Sequence, residues 1–432
     1  MNLLKPFLWV TSVIIAFSLG HFGRETEKQA ESSYHSNADT QQTASVVKQL
    51  EVTFAAKSHP LNGNIAENRI ESIRQFESTE DAVNLIHREL SNMVGYDLGS
   101  IARAYTMVAQ LNSQQLKNAL DHLAPFANDS DYQLTLQLLI DRFATESPSI
   151  AMQYVSDKIT NTKLRNAPII QVLSKWVYID PIAALDWHRK NRSESPTYDS
   201  LETKLIFKGL ANQDIDLAIQ TLSDFSGNPY KTASAASGIA STLDEPWQFI
   251  AFLEKIKFMD SNEINNRVLG EWVQKDNDAV LNWFDALDDS EKSNVLAEDI
   301  YSHYRYSDPE ASANWFLAQS TPATIDENLK KIIESWGHSA PETALTWVNK
   351  QSGIDTQKAI KEVLSSVVYF NPNFVVNNLE LIDSDSQKAN ISYSIYLGLE
   401  RESTSKANAF VNSSKYKQQL LITIERMKQF RE

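Results

Sequence analysis

The chain contains no cysteine. That excludes disulfides, thiol nucleophiles, iron–sulfur clusters and cysteine-ligated zinc, and with them a lipid anchor built on a cysteine after an apolar leader. Glycine is scarce, twelve in 432 residues. Strands joined by tight turns consume glycine, so its scarcity favours helices linked by short turns. Positive charge is in deficit: 40 Lys and Arg against 55 Asp and Glu leave a net charge of −15 and a pI near 5.1. Phosphate repels such a surface, and no nucleic-acid partner is expected.

Catalytic signatures are missing as well. There is no His-Glu-x-x-His zinc motif, no phosphate-binding or dinucleotide-binding glycine loop and no Gly-x-Ser-x-Gly elbow. The eight histidines are scattered without metal-ligand spacing. Asp383 and Asp385 stand at calcium-like spacing in LIDSDSQKAN, but the third ligand, the glycine and the closing Glu of a calcium loop are lacking. The sequence therefore offers no catalytic residue, no metal ligand and no cofactor-binding residue, and no cofactor is expected. Beyond the N-terminus no run is long and apolar enough to span a membrane.

What is present begins with that N-terminus, MNLLKPFLWVTSVIIAFSLGHFGRE. Residues 1–23 carry one lysine and a strongly apolar stretch from Phe7 to Leu19, short for a spanning helix but reaching that length with its flanks. Two readings stay open, an uncleaved signal anchor with a single transmembrane helix and a cleaved signal peptide. Either places the chain beyond Arg24 across the membrane, because Lys5 stays inside. Residues 24–65 are rich in Ser, Thr, Gln, Asn and Glu and poor in large apolar residues, which reads as a polar flexible linker.

Residues 66–432 are organised by repetition. WVYIDPIAALDWHRKN begins at Trp176; WVQKDNDAVLNWFDAL at Trp272, YRYSDPEASANWFLAQ at Tyr304 and WGHSAPETALTWVNKQ at Trp336 share its plan. Counting from a helix-cap position, nine copies fall at Ser147, Asp180, Asp214, Glu245, Asp276, Asp308, Ala340, Asn371 and Ser403, a period of 31–34 residues. Seven of these caps are Asp, Asn or Ser, whose side-chain oxygen accepts a free amide hydrogen at a helix start. Six are followed by proline (Pro148, Pro181, Pro246, Pro309, Pro341 and Pro372), which suits the first helical position and stops the preceding helix. So each copy is a helix A, a cap and a helix B.

Four residues past the cap the side chain is mostly small, as at Ala151, Ala184, Ala218 and Ala344, where two helices approach closely. Seven past the cap, and four before it, the columns are dominated by aromatics and hold seven of the nine tryptophans. Aromatics at recurring helical spacing read as core staples, not as a ligand ladder. A period near 32 over this many copies predicts an all-α fold, a right-handed α-solenoid of about ten helical hairpins after the N-terminal apolar helix.

The Trp-x3-Asp-Pro-x2-Ala-Leu-x-Trp unit resembles short αα repeats of poorly characterised bacterial proteins, tetratricopeptide-like in length, over about residues 100–410. It departs from the tetratricopeptide pattern: proline opens helix B here, and no Leu-Gly follows the tryptophan. Peptide-binding positions of that family therefore do not carry over. The resemblance implies a fold and a general class, protein binding.

The most unusual local stretch is IYSHYRYSDP. Helical phase puts Tyr301 and Tyr304 on the core face and points His303 and Arg305 outward, while Tyr306 shares a column with Tyr178 and Tyr369. Tyr301, His303, Arg305 and Tyr306 are the candidate partner-binding residues, since aromatic–cationic patches make recognition hot spots. The expectation is a scaffold of the bacterial cell envelope, anchored in the inner membrane or exported to the periplasm, docking a protein or peptide on a helical repeat surface. The alternatives are an all-helical toroid enzyme acting on polysaccharide, which would need two acids meeting across a closed cup, and a self-associating envelope structural protein.

Overall fold

The computed structural model describes residues 78–429 except 94–96, 192, 194, 226–227 and 260. The predicted N-terminal apolar helix, the linker and the first residues of the repeat region lie outside the described residues. Among the described residues every regular element is helical, and no helix is long and apolar enough to cross a membrane. The chain divides into two compact units, Met1–Asp224 and Phe225–Glu432.

In the first unit α1 (Thr79–Ser91), α2 (Leu98–Ala109) and α3 (Ser113–Leu123) precede three A–B pairs. These are α4 (Gln133–Glu146) with α5 (Pro148–Lys158), α6 (Thr162–Ile179) with α7 (Pro181–Lys190), and α8 (Pro196–Gln213) with α9 (Ile215–Leu222). The second unit holds six pairs: α10 (Pro229–Ala240) with α11 (Pro246–Ile256), α12 (Asn262–Lys275) with α13 (Asn277–Ala286), α14 (Asn294–Tyr304) with α15 (Pro309–Ala318), α16 (Ile325–Gly337) with α17 (Pro341–Lys350), α18 (Thr356–Val367) with α19 (Pro372–Asn378), and α20 (Asp385–Glu402) with α21 (Thr404–Ser413). A final helix, α22 (Lys417–Gln429), packs on the last pair. Within each unit helices pack on their sequence neighbours, and A helices of successive pairs also meet, as α4 meets α6 and α10 meets α12. This is the packing of an α-solenoid.

The expected punctuation is where the pairs turn. Asp180, Asp214, Asp276 and Asp308 each accept the amide hydrogen three residues on, at 2.9–3.0 Å, and Asn371 does so at 3.1 Å. Each of the six prolines opens its B helix. Ser147 and Ser403 stand at the cap position without a side-chain capping bond.

The columns behave differently from one another. Every residue four past the cap is buried, and the column four before it is buried except at Ser241. The column seven past the cap is mixed: Trp187, Trp283 and Trp315 are only half-buried, whereas Phe252 and Trp347 are enclosed. Rings of these two columns meet within a pair, Trp176 with Trp187 at 6.5 Å, Trp272 with Trp283 at 5.4 Å and Trp336 with Trp347 at 5.7 Å, all tilted by 44–50°. Tilted rings at this separation satisfy the aromatic quadrupole better than a face-to-face sandwich. The recurrence of one geometry identifies these tryptophans as staples of the helix pair.

Close approach of A helices depends on a missing side chain in each unit. A Cβ at Gly209 of α8 would lie 2.5 Å from the carbonyl oxygen of Val177 on α6. A Cβ at Gly270 of α12 would lie 2.6 Å from the His303 ring on α14.

Candidate functional site

The predicted residues Tyr301, His303, Arg305 and Tyr306 do not share one surface. Tyr301 is a core residue, stacked on Phe316 at 4.7 Å, with its hydroxyl 2.6 Å from Ser335 Oγ of α16. His303 turns from the expected outward position toward α12, where Gly270 leaves room for its ring and Asn266 Oδ1 meets Nε2 at 3.2 Å. Burial holds this imidazole below its ordinary pKa. The amide of Asn266 also donates to Asp299 at 2.8 Å, and burial pushes that carboxyl up to about 6. The trio is a polar seam between α12 and α14.

Arg305 and Tyr306 are the pair that reaches the surface. The guanidinium stacks on its neighbour's ring at 4.9 Å and donates to the phenol oxygen at 2.9 Å. Tyr306 is 78% exposed, high for a tyrosine. The same place in the next three repeats, two residues before the cap, is held by His338, Tyr369 and Arg401, all exposed. Arg401 stacks on Tyr369 at 5.3 Å, and His338 meets Phe370 edge-on at 4.3 Å, with Phe370 71% exposed. Four successive A–B turns of the second unit thus contribute to three contacts between an exposed aromatic ring and an Arg or His side chain, one within a turn and two between neighbouring turns.

A second cluster lies inside the first unit. His188 ends the core stripe of α7, which runs Pro181, Ala184, Leu185, His188. Asp199 and Glu202 open the core stripe of α8, ahead of Ile206 and Leu210. α7 and α8 pack on each other and bring these two stripes together. His188 Nε2 lies 3.2 Å from Asp199 Oδ1 and 3.4 Å from Glu202 Oε2, and the three side chains are 1%, 9% and 0% exposed. These residues could hold a metal ion, as one donor atom from each falls within a 4.8 Å circle. Sequence spacing missed the set because ten residues of loop and helix separate His188 from Asp199. The available signal was the interruption of two apolar stripes by ionisable residues at helical spacing.

Asp385, flagged for its spacing with Asp383, binds Tyr416 through a 2.7 Å hydrogen bond and Lys415 at 3.2 Å. Its carboxyl is drawn below the ordinary range first by the Tyr416 hydroxyl and then by the ammonium. It ties α20 to the start of α22.

Comparison of the chain with family models, with curated proteins and with solved structures finds no match. The functional reading therefore rests on geometry.

Proposed function

We propose that this chain is a protein-binding scaffold of the bacterial cell envelope that docks a protein or peptide along the A–B turns of its second unit. What supports the reading is the clustering of exposed aromatic rings with Arg and His side chains at successive A–B turns, Arg305–Tyr306, His338–Phe370 and Tyr369–Arg401. Aromatic residues and arginine are the side chains that dominate binding energy at protein interfaces. Their spread over successive turns suits an extended partner that touches several of them. In this reading the pairs form a right-handed, tetratricopeptide-like α-solenoid of about ten hairpins. Residues 1–23 hold it at the inner membrane, or direct it across, with the bulk in the periplasm.

The test is photocrosslinking of the full-length protein in membranes, with the crosslinker at position 370 and partners identified by mass spectrometry. One reproducible envelope protein, lost when Tyr306→Ala and Arg401→Ala are combined, is the expected result. Recovery of only a second copy of the chain would replace docking with self-association. Crosslinks that survive the double substitution would remove the aromatic–cation turns from the interface.

A further inference from the structure

We infer that His188, Asp199 and Glu202 form a binding site for one zinc-class divalent cation that fastens α7 to α8. Three observations carry this. First, the donors are the mixed nitrogen and oxygen set that zinc accepts. Second, their spacing fits. Ligands at about 2.0–2.1 Å from a tetrahedral centre lie about 3.3 Å apart, and the imidazole nitrogen is 3.2 and 3.4 Å from the two carboxylate oxygens. Third, all three side chains are buried on stripes that otherwise carry apolar residues.

A hydrogen-bonded triad explains this arrangement less well. Nε2 carries at most one hydrogen, which cannot point along both of its short approaches to carboxylate. The second oxygen of Glu202 or a water completes four-coordination.

The site would act on folding, since a cation bound by the folded chain and not by the unfolded one stabilises it by mass action. It bridges the second and third A–B pairs of the first unit, fixing their junction.

The experiment uses the full-length protein, purified without a histidine tag and stripped with a chelator. Zinc titration by calorimetry is expected to give one site, with a melting temperature that rises on adding zinc and falls again on chelation. Cobalt in its place should give the visible absorption of a tetrahedral nitrogen–oxygen site, and the absence of cysteine removes thiolate bands from that spectrum. His188→Gln and Glu202→Gln should each weaken zinc binding at least about a hundredfold. If the stripped wild-type protein binds no stoichiometric zinc and its melting temperature ignores both zinc and chelator, the inference is overturned, whether or not the variants fold. Zinc binding of unchanged affinity in both variants would overturn it equally.

Discussion

Residues 78–224 and 225–429 are built on the same helix pair and fill it with opposite chemistry. The first unit buries ionisable side chains: Asp141 with Lys175, and His188 with Asp199 and Glu202. The second buries rings. Trp272, Trp347, Phe249, Phe252, Phe284 and Phe316 are its largest fully enclosed side chains, and Lys388 is its one buried charged residue among those described. A ring contributes through area and packing, which need no particular counterpart. A buried charge contributes only when its partner is in place, and costs several kcal/mol when it is not. The repeat template therefore fixes where helices go, while its filling decides what each junction depends on: shape in the second unit, pairing in the first.

The sharpest way to break the second unit is at Trp272. This ring is 1% exposed, stacked on Phe249 at 5.1 Å and tilted against Trp283. Trp272→Ala removes the centre of that stack and is expected to cost about 4 kcal/mol in chemical denaturation followed by circular dichroism. A loss below about 1 kcal/mol would mean that the staple is ornamental and that area elsewhere holds the pair.

The matching test in the first unit is Lys175→Met. Lys175 Nζ lies 2.9 Å from Asp141, with the two side chains 8% and 3% exposed. Removing the ammonium leaves a buried carboxylate, at an expected cost of about 3 kcal/mol. The double variant Lys175→Met/Asp141→Leu should recover most of it, because a well-packed apolar pair replaces a buried ion pair at little net cost. Trp272→Ala has no such rescue by charge removal, and that contrast is what the comparison predicts.

A smaller effect sharpens the part of the plan both units share. Ala340 stands at a cap position with φ −151° and ψ 70°, close to the φ −151° and ψ 83° of Asp180, which accepts from Ala183 at 2.9 Å. The backbone is already shaped for a cap that the side chain lacks. Ala340→Asp should raise stability by about 1 kcal/mol, read as a shift in denaturation midpoint, and Asp276→Ala should lower it by about the same amount.

These three sites also mark how far the sequence could be read. Helix boundaries, caps and the column four past the cap were legible, because proline, Asp and a small residue each act through local backbone geometry. The depth of a column was not: Trp187 and Trp347 share a repeat position, yet one is half-buried and the other enclosed. That difference depends on the neighbouring pair, where Asn314 accepts from the Trp347 indole at 2.8 Å. Likewise, helical phase pointed His303 outward but could not register that Gly270, on the preceding A helix, opens a place for its ring. The His188 cluster was hidden for the same reason, being a contact between two stripes that are each readable but whose meeting is tertiary.

The smallest effect concerns the half-buried Asp299 in the seam between α12 and α14. Asp299 donates nothing when ionised; it accepts from Asn266, and burial pushes its pKa up to about 6, with Glu298 and Glu263 adding to the rise. An unfolded aspartate titrates near 3.9. Between these values the folded state holds the proton more tightly, so this group favours folding below about pH 4, and that contribution is lost as pH rises through about 6. The carboxyl is partly open to solvent, which screens the penalty to below about 1 kcal/mol. Asp299→Asn keeps an acceptor for Asn266 and removes the charge. The variant should match the wild type near pH 4 and exceed it by up to about 1 kcal/mol at pH 7.5. His303 titrates in both proteins and cancels from the difference. A stability difference that stays flat between those pH values would place Asp299 at an ordinary aspartate pKa and the α12–α14 seam open to water.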